Sequence, residues 1–230
     1  MPHRTNRLLE SVSNETQQAV LAVSRNVDLP AGQVLFSPGE TPAYVYFLLA
    51  GLASLAITVP DGGSAEVGVV GREGLVGVRS LLGGNPPIAR CFMQIGGSAL
   101  RVPLLEARRI FHDNAEFRSR VLQYLQAEVN CTTQLAACNK LHQAEERLAR
   151  WLLTAADRTA SDTMPLTQEG LSQMLGTRRT TVALVAGEMQ RKGLLRYRRG
   201  LVKIANREAL TSTACDCYRI THGLLQNLYA

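Results

Sequence analysis

The chain has 230 residues, of which 46% are hydrophobic and 19% charged, and its formal net charge is +6. This length exceeds one compact domain and the composition is globular, so we expect two domains with separate hydrophobic cores rather than a disordered chain. No apolar run approaches the roughly 18 residues of a membrane-spanning helix and the N-terminus lacks the apolar segment of a secretion signal, so we expect a cytoplasmic protein with no membrane partner.

Glycine divides the chain into a turn-rich part and a helical part. Thirteen of the 19 glycines lie between Gly32 and Gly97, and none lies at 98–169. Turns should therefore crowd the first part and helices the second. Ahead of the glycine-rich part, apolar residues at near-helical spacing predict one or two short helices within 7–26.

Short runs of strand-forming residues, bounded by Gly or Pro, fill the glycine-rich part. They predict strands at 33–36, 44–49, 52–59, 65–70, 89–95 and 99–102. Asp61-Gly62-Gly63 fits a hairpin turn between two of these strands. Many short strands at this spacing favour an antiparallel barrel or roll.

A long helix should follow the roll, because residues 111–164 contain neither Gly nor Pro. Within it, apolar or small residues recur at steps of three and four, as in a coiled-coil seam. These residues are Leu122, Leu125, Val129, Thr132 and Ala136. Such a stripe either packs on its own domain or forms a dimer; its place between a β domain and a basic domain favours a homodimer interface. A second amphipathic helix is expected at 143–157 and a polar linker at 158–164.

The excess positive charge lies in the C-terminal part. Residues 139–230 hold 14 Lys or Arg against 8 Asp or Glu, whereas residues 1–138 hold 11 of each. Six of these basic side chains and no acid lie at 191–203. A solvated surface is one interpretation of a basic run, but charge confined to one domain favours a polyanionic partner.

Residues 166–195 have the most specific pattern, two short helices joined around a glycine. Thr167 suits the N-cap of the first helix, and Gly176 permits a tight turn to Thr177. This pattern predicts a helix-turn-helix. A helical hairpin that contacts another protein is the alternative.

The exposed face of the second helix should contact double-stranded DNA. Arginine can bind a guanine edge with two hydrogen bonds, and Thr, Ala or Leu can meet a thymine methyl. The candidate residues are Arg178, Arg179, Thr180, Ala183 and Leu184. Residues 196–204 then predict a strand, a turn and a strand, a wing whose Arg198 and Arg199 can bind phosphate.

At these residues the sequence resembles the Crp/Fnr family of bacterial transcription regulators, and the resemblance covers nearly the whole chain. The matching segments are LTQEGLSQMLGTRRTTV, RYRRG, ERLARWLL and, more loosely, GREGLVGVRSLL. The resemblance implies an α+β fold: an N-terminal antiparallel β-roll (a double-stranded β-helix like a cyclic-nucleotide-binding domain), a long dimerisation helix and a C-terminal winged helix-turn-helix. It implies domains at 1–110, 111–138 and 139–230.

The resemblance also implies a function. The chain would be a sequence-specific DNA-binding regulator, homodimeric on a two-fold-related operator, that responds to a signal in the roll and contacts RNA polymerase if it activates transcription. Thr167 would contact phosphate, and Arg179 and Thr180 would contact bases. Leu184 occupies a position where cyclic-AMP-responsive members have arginine, so their operator sequence does not transfer.

The expected effector pocket departs from the family pattern. Members that bind cyclic nucleotides use a glutamate after a glycine for the ribose and an Arg-Ser pair for the phosphate. Alignment on Gly77 puts Val78 at the glutamate, and Ile88 and Ala89 at the pair. We therefore expect an unknown small-molecule effector and no cyclic nucleotide. A loop shift that brings in Arg90 would give the alternative, a cyclic-nucleotide-responsive regulator.

The five cysteines suit reduced thiols, since their number is odd and no export signal precedes them. None precedes Cys91, whereas the oxygen-sensing members hold iron-sulfur ligands near the N-terminus. Cys215 and Cys217 with His222 are one ligand short of a tetrahedral metal site. We therefore expect no metal and no cofactor, with a redox or metal role for this pair as the alternative.

No catalytic site is expected. The four histidines are dispersed, and neither a nucleophile elbow nor a phosphate-binding loop occurs. The remaining alternative to a DNA-binding regulator is a sensor that acts only through protein contacts.

Overall fold

The computed structural model describes residues 5–60, 63–198 and 200–229. It contains an N-terminal domain built on one antiparallel sheet, a long helix, and a C-terminal domain of helices with a small second sheet. The predicted α+β class is confirmed. Among the described residues, no helix is long and apolar enough to cross a membrane.

The first sheet has six strands and only antiparallel pairings. Its strands are β1 (Arg25–Leu29), β2 (Val34–Phe36), β3 (Tyr44–Thr58), β4 (Ser64–Val70), β5 (Leu75–Val76) and β6 (Arg90–Pro103). The order is β1-β6-β3-β4, with β2 beside β6 and β5 beside β3. Two helices precede the sheet, α1 (Arg7–Glu10) and α2 (Asn14–Ala22), and a 3₁₀ helix (Val78–Leu82) follows β5.

Two predicted breaks between strands are wrong. Segments 44–49 and 52–59 belong to the single strand β3, and segments 89–95 and 99–102 belong to β6. Gly51 has φ +87° at a bulge where the register of β3 against β6 shifts. A Cβ on Gly97 would collide with the carbonyl of Ala50, so these glycines allow two strands to approach closely rather than ending them.

Three further expectations differ in detail. Strand β1 begins at Arg25, inside the segment predicted to be helical, and β5 has no counterpart among the predicted strands. The pairing of Thr58 with Ser64 joins β3 to β4 as expected. Asp61 and Gly62 of the predicted hairpin turn lie outside the described residues.

Helices α3 (Leu104–Asp113) and α4 (Ala115–Leu141) follow the sheet. They are separate because the Asn114 side chain accepts a hydrogen bond from the Phe117 backbone N–H at 2.8 Å and so caps the start of α4. The predicted long helix is therefore α4, with 27 residues. It buries Phe117 and Tyr124 against the N-terminal domain.

The C-terminal part contains α5 (Ala144–Thr159), β7 (Thr163–Pro165), α6 (Gln168–Leu175), α7 (Arg179–Arg191), β8 (Leu195–Arg198), β9 (Leu201–Ile204), α8 (Arg207–Thr213) and α9 (Cys217–Asn227). The polar linker predicted at 158–164 is wrong. Helix α5 extends to Thr159, and β7 pairs with β9 in a sheet of order β7-β9-β8.

The two predicted cores are not separate. The core of the C-terminal part includes Leu52 and Ile95 from the first sheet. Helix α9 returns to the N-terminal domain, where Leu225, Leu228 and Tyr229 pack on its core. These shared contacts join the sensor, α4 and the helix-turn-helix into a continuous packed body.

Candidate nucleic-acid interface

The helix-turn-helix is formed by α6 and α7. The Thr167 hydroxyl oxygen accepts a hydrogen bond from the Gly170 backbone N–H at 3.0 Å, which caps α6 as its position predicts. Gly176 ends α6 with φ +55°, in the left-handed region that favours glycine. Helix α7 then buries Val182 and Met189 against the C-terminal core, which fixes the side that it turns outward.

Gly170 lies where a longer side chain would favour the helix more, and tertiary contact supplies the reason for glycine. A Cβ at this position would lie 3.2 Å from Gln94 Nε2 and 3.3 Å from Thr167 Oγ1. Gln94 belongs to β6, so α6 packs closely on the sensor sheet. Glycine at this position allows that approach.

The outer face of α7, with the turn before it, is called the reading face. It consists of Thr177, Arg178, Arg179, Thr180, Ala183 and Leu184. Arg178, Arg179 and Thr180 are exposed, and Leu184 is 76% exposed. Thr177 and Ala183 are half-buried. An exposed leucine beside arginines matches a surface that meets both base edges and thymine methyls.

The wing is formed by β8 and β9 and is held against both helices. Leu166 N–H donates to the Gly200 carbonyl at 2.8 Å, and the Tyr197 hydroxyl donates to the Leu166 carbonyl at 3.2 Å. Tyr197 N–H donates to Gln190 Oε1 of α7 at 2.7 Å. Arg198 is exposed at the end of β8, whereas Arg199 lies outside the described residues. The wing, α7 and the residues just ahead of α6 thus form one hydrogen-bonded unit.

Most other exposed cations of the C-terminal part have carboxylate partners, whereas the exposed cations of this unit have none among the described residues. The exposed side chains of Arg178, Arg179, Arg196, Arg198 and Lys203 form no ion pair with any carboxylate of the described residues. Elsewhere in this part, Arg191 pairs with Glu188, Lys192 with Glu145, Arg207 with Asp157 and Asp162, and Arg219 with Asp216. At 139–230, six exposed cations lack a carboxylate partner among the described residues; five of them lie on the reading face and the wing, where they can bind a polyanion, and the sixth is Lys140.

The sensor contains a cavity of about 220 Å³. Gly77, Val78, Ile88 and Ala89 line it together, as the alignment predicts, while Arg90 is exposed outside it and stacks on Phe92. The rest of its described lining consists of Phe36, Leu55, Val70, Leu75, Val76, Arg79, Ser80, Asn85, Pro86, Pro87 and Glu128.

The charge in this cavity is already neutralised. Of the described lining residues only Arg79 is basic, and its Nε lies 3.2 Å from Glu128 Oε2 of α4. A phosphate group is bound most strongly by a free cation, which the described lining does not offer. Glu128 also connects the cavity to α4.

Buried polar contacts link the sensor to the C-terminal part, and sequence reasoning missed them. Glu66 of β4 accepts hydrogen bonds from Trp151 Nε1 of α5 and from Ser54 Oγ, both at 2.6 Å. Burial raises the pKa of the Glu66 carboxyl to about 7, outweighing these two hydrogen bonds. Arg158 and Glu73 form a second buried pair at 3.1 Å. No local pattern could reveal these pairs, since their members are about 85 residues apart.

The stripe predicted for dimerisation is only partly exposed. Leu122 and Val129 are 45% and 54% exposed and Ala136 is exposed, whereas Leu125 is 8% exposed and packs in the core of its own domain. Thr132 is half-buried, and its hydroxyl donates a hydrogen bond to the backbone carbonyl oxygen of Glu128 at 2.9 Å. The expectation that Leu125 faces outward with its neighbours is thus corrected, because α4 turns that side toward the sheet.

Four cysteine and histidine side chains converge where α4 ends. The ligand atoms of Cys138, His142, Cys215 and Cys217 all lie within 4.8 Å of one another. His222, considered with Cys215 and Cys217 from the sequence, lies elsewhere and is 3.7 Å from Asp157. Cys215 and Cys217 thus lie beside Cys138 and His142 rather than beside His222. The four-residue spacing of Cys138 and His142, one helical turn, was the available signal.

The fold and the reading face define a class: a DNA-binding regulator with an N-terminal β-roll domain and a winged helix-turn-helix. Residues 26–114 match the cyclic nucleotide-binding domain family, and residues 146–213 match the Crp-like helix-turn-helix domain family. The chain belongs to the Crp/Fnr family of transcription regulators, which are not enzymes. Double-stranded DNA is accordingly a partner.

Similar proteins come from several bacteria. A CRP-like cAMP-activated global transcriptional regulator of Mycobacterium tuberculosis is 24% identical, over 82% of this chain and 87% of that protein. The global nitrogen regulator of a Nostoc strain is 24% identical, over 71% of this chain and 77% of that protein. The structure of FixK2 from Bradyrhizobium japonicum has a TM-score of 0.71 at 17% identity, covering 84% of this chain and 98% of that chain. At this identity the structural likeness supports the fold alone.

Proposed function

We propose that this chain is a homodimeric, cytoplasmic regulator that binds a two-fold-related operator through the reading face and the wing. One observation carries the proposal. The exposed cations of this unit lack carboxylate partners among the described residues, whereas Arg191, Lys192, Arg207 and Arg219 around it are paired. Keeping several like charges exposed and unpaired on one hydrogen-bonded unit is unfavourable unless an anionic partner neutralises them.

The reading face and the wing have different roles in this proposal. Arg179 and Thr180 begin α7 and contact base edges, while Ala183 and Leu184 meet thymine methyls. Arg178 and Thr177 lie beside the phosphate backbone. Thr167 donates its hydroxyl hydrogen to a phosphate, since its oxygen already accepts from Gly170. Arg198, with Arg199, anchors the wing on phosphates.

The dimer forms through the exposed side of α4. Leu122, Val129 and Ala136 recur at seven-residue intervals and leave apolar area on a helix whose opposite side is already buried. Leu125 and Thr132 border this seam from their partly covered positions. A two-fold axis along α4 presents two copies of α7 to successive major grooves, which matches an operator with two related half-sites.

The signal is a small, mainly apolar molecule in the sensor cavity. The cavity is lined by aliphatic side chains with its one described cation already paired to Glu128. Because Glu128 belongs to α4, occupancy of the cavity is coupled to the helix that forms the dimer. If the protein activates transcription, RNA polymerase is the further partner.

Selection of bound sequences from a random duplex pool tests the function. We expect enrichment of a motif with two-fold-related halves, with centres about 34–36 Å apart or a multiple of this distance. Failure to enrich any motif, with or without cell extract, would contradict the proposal and favour a sensor that acts through protein contacts.

The dimer has its own test. Leu122→Glu with Val129→Glu places charges in the seam without disturbing the buried Leu125, so we expect monomers in sedimentation and loss of operator binding. Leu105→Glu is the matched control, because Leu105 is 76% exposed on α3, away from this stripe. A dimer that persists in the double variant rules out this interface.

A further inference from the structure

The cluster at the end of α4 contains three thiols and one imidazole. Cys138 Sγ lies 3.6 Å from Cys215 Sγ, and Cys217 Sγ lies 3.6 Å from His142 Nδ1. All three cysteines are buried and His142 is half-buried. Cys138 and His142 thus lie at the end of α4, whereas Cys215 lies between α8 and α9 and Cys217 begins α9. Cys215 follows Cys138 by 77 residues.

These distances match the edges of a tetrahedral coordination shell. Zinc bonds to sulfur at about 2.3 Å and to nitrogen at about 2.0–2.1 Å, which places neighbouring ligand atoms about 3.6–3.8 Å apart. The two closest pairs of the cluster have this separation, and no ligand atom is more than 4.8 Å from another. An iron-sulfur cluster needs its cysteines spread around a core of several atoms, so the compact arrangement fits a single ion.

The surroundings suit a negatively charged thiolate site. Gln134 Nε2 donates to Cys217 Sγ at 3.1 Å, a contact of the kind that orients a metal ligand. Arg150 is 6% exposed and acts electrostatically on both Cys138 and Cys215. Its Nε is buried and has no hydrogen-bond partner among the described residues. A buried guanidinium with an unpaired N–H indicates that a negative charge belongs nearby.

We propose that Cys138, His142, Cys215 and Cys217 bind one thiophilic divalent metal ion of the Zn²⁺ type in a tetrahedral site. Three thiolates and an imidazole are the ligands that zinc prefers in closed structural sites. Binding releases one proton from each of the three thiols to solvent, and no electron is transferred. Neutral His142 contributes Nδ1, the nitrogen that faces Cys217.

The position of the site gives it a regulatory consequence, which rests on the proposed function. His142 is the residue after α4, and α5 starts at Ala144, so the ligands span the connection from the dimer helix to the DNA-binding part. Cys215 and Cys217 follow α8 of that part. An ion held by both sides fixes the orientation of α7 relative to α4, and hence of the two reading faces in a dimer.

Metal content and cobalt spectroscopy of the full-length protein test the site itself. Purified under reducing conditions, it should retain about one zinc per chain, and Co²⁺ should give the charge-transfer absorption of cobalt-thiolate bonds with tetrahedral d–d bands. Cys217→Ser and His142→Ala should lose zinc and weaken these bands. Cys131→Ser is the matched control: Cys131 is a buried thiol on α4 that contacts the Thr221 carbonyl of α9 outside the cluster, so zinc should stay.

Operator binding tests the consequence separately. Removing the ion with a chelator should lower operator affinity about tenfold, and Zn²⁺ should restore it in the wild type and in Cys131→Ser but not in Cys217→Ser. Absence of both zinc and a cobalt-thiolate spectrum in the reduced protein would overturn the site, as would a Cys138–Cys215 disulfide with no metal bound. Zinc binding with unchanged operator affinity would overturn the regulatory role alone. A zinc-loaded protein that selects no DNA motif would refute the proposed function while leaving the metal site intact.

Discussion

The cavity of the N-terminal domain and the reading face differ in how their charged residues are arranged. In the cavity, Arg79 is paired with Glu128 at 3.2 Å and aliphatic side chains form most of the lining. On the reading face and wing, Arg179 and Arg198 are exposed and have no carboxylate partner among the described residues. Internal pairing leaves the cavity suited to a mainly neutral ligand. The unpaired cations suit the reading face and the wing to an anionic one.

The two regions also differ in burial. Val78 and Ala89 are buried in the cavity wall, where a carboxylate or guanidinium without a partner would be costly. The winged domain, in contrast, has exposed cations on one hydrogen-bonded unit.

The largest expected effect is on the reading face. Arg179→Ala should weaken operator binding by about 1–3 kcal/mol and random-duplex binding by much less, because a base contact is lost. Arg198→Ala should weaken binding to the operator and to the random duplex alike. It should also reduce the slope of log affinity against log salt by about 0.9 per phosphate contact. Arg191→Ala is the control, since it removes a cation of α7 already paired with Glu188. Equal losses on both duplexes for Arg179→Ala would refute its role as a base reader.

The next effect concerns the contact between Glu66 of the first sheet and Trp151 of α5. Burial raises the pKa of Glu66 from 4.5 to about 7, so the folded state binds this proton more tightly than the unfolded state. The resulting stabilisation is complete below about pH 4.5 and is lost as pH rises through about 7. Glu66→Gln should therefore flatten the fall in thermal midpoint across this interval, measured by calorimetry.

Glu40→Gln serves as its control, because Glu40 is an exposed acid of the same domain. The control should keep the wild-type pH dependence. If Glu66→Gln retained that dependence as well, the carboxyl of Glu66 would not be its source.

A smaller effect is expected inside the cavity. The Arg79 side chain is 57% exposed, so its pair with Glu128 resembles a surface ion pair. Arg79→Ala should lower the free energy of unfolding by about 1 kcal/mol or less, measured by urea denaturation. Arg109→Ala, which breaks the exposed pair with Glu106, provides the comparison. A much larger loss for Arg79→Ala would mean that the pair organises the cavity and α4.

No effect is expected from cyclic nucleotides. Calorimetric titration with cyclic AMP or cyclic GMP should show no binding at physiological concentrations, because the cavity offers no free cation for the phosphate. Micromolar affinity for either nucleotide would contradict this expectation. Arg90→Ala would then show whether the exposed Arg90 moves into the pocket.

Local chemistry accounts for the parts of the fold and site that could be predicted. Thr167 and Gly176 specify the ends of α6 through a cap and a left-handed turn, and these interactions involve only neighbouring residues. The same residues carry the family resemblance. The predicted breaks near Gly51 and Gly97 are wrong, because a bulge and a turn use the same residue and only the pairing of β3 with β6 distinguishes them.

The sequence by itself determined the winged helix-turn-helix, the β-rich sensor, the long helix and the basic face, because caps, glycines, periodicity and charge act over a few neighbouring residues. Only the tertiary structure decided which side of α4 remains exposed at Leu122 and Val129, and that Glu66 meets Trp151. It also decided that Cys138 and His142 meet Cys215 and Cys217. These contacts join residues far apart in the chain, and their formation depends on how α4, α5 and α9 pack together, which no local pattern encodes.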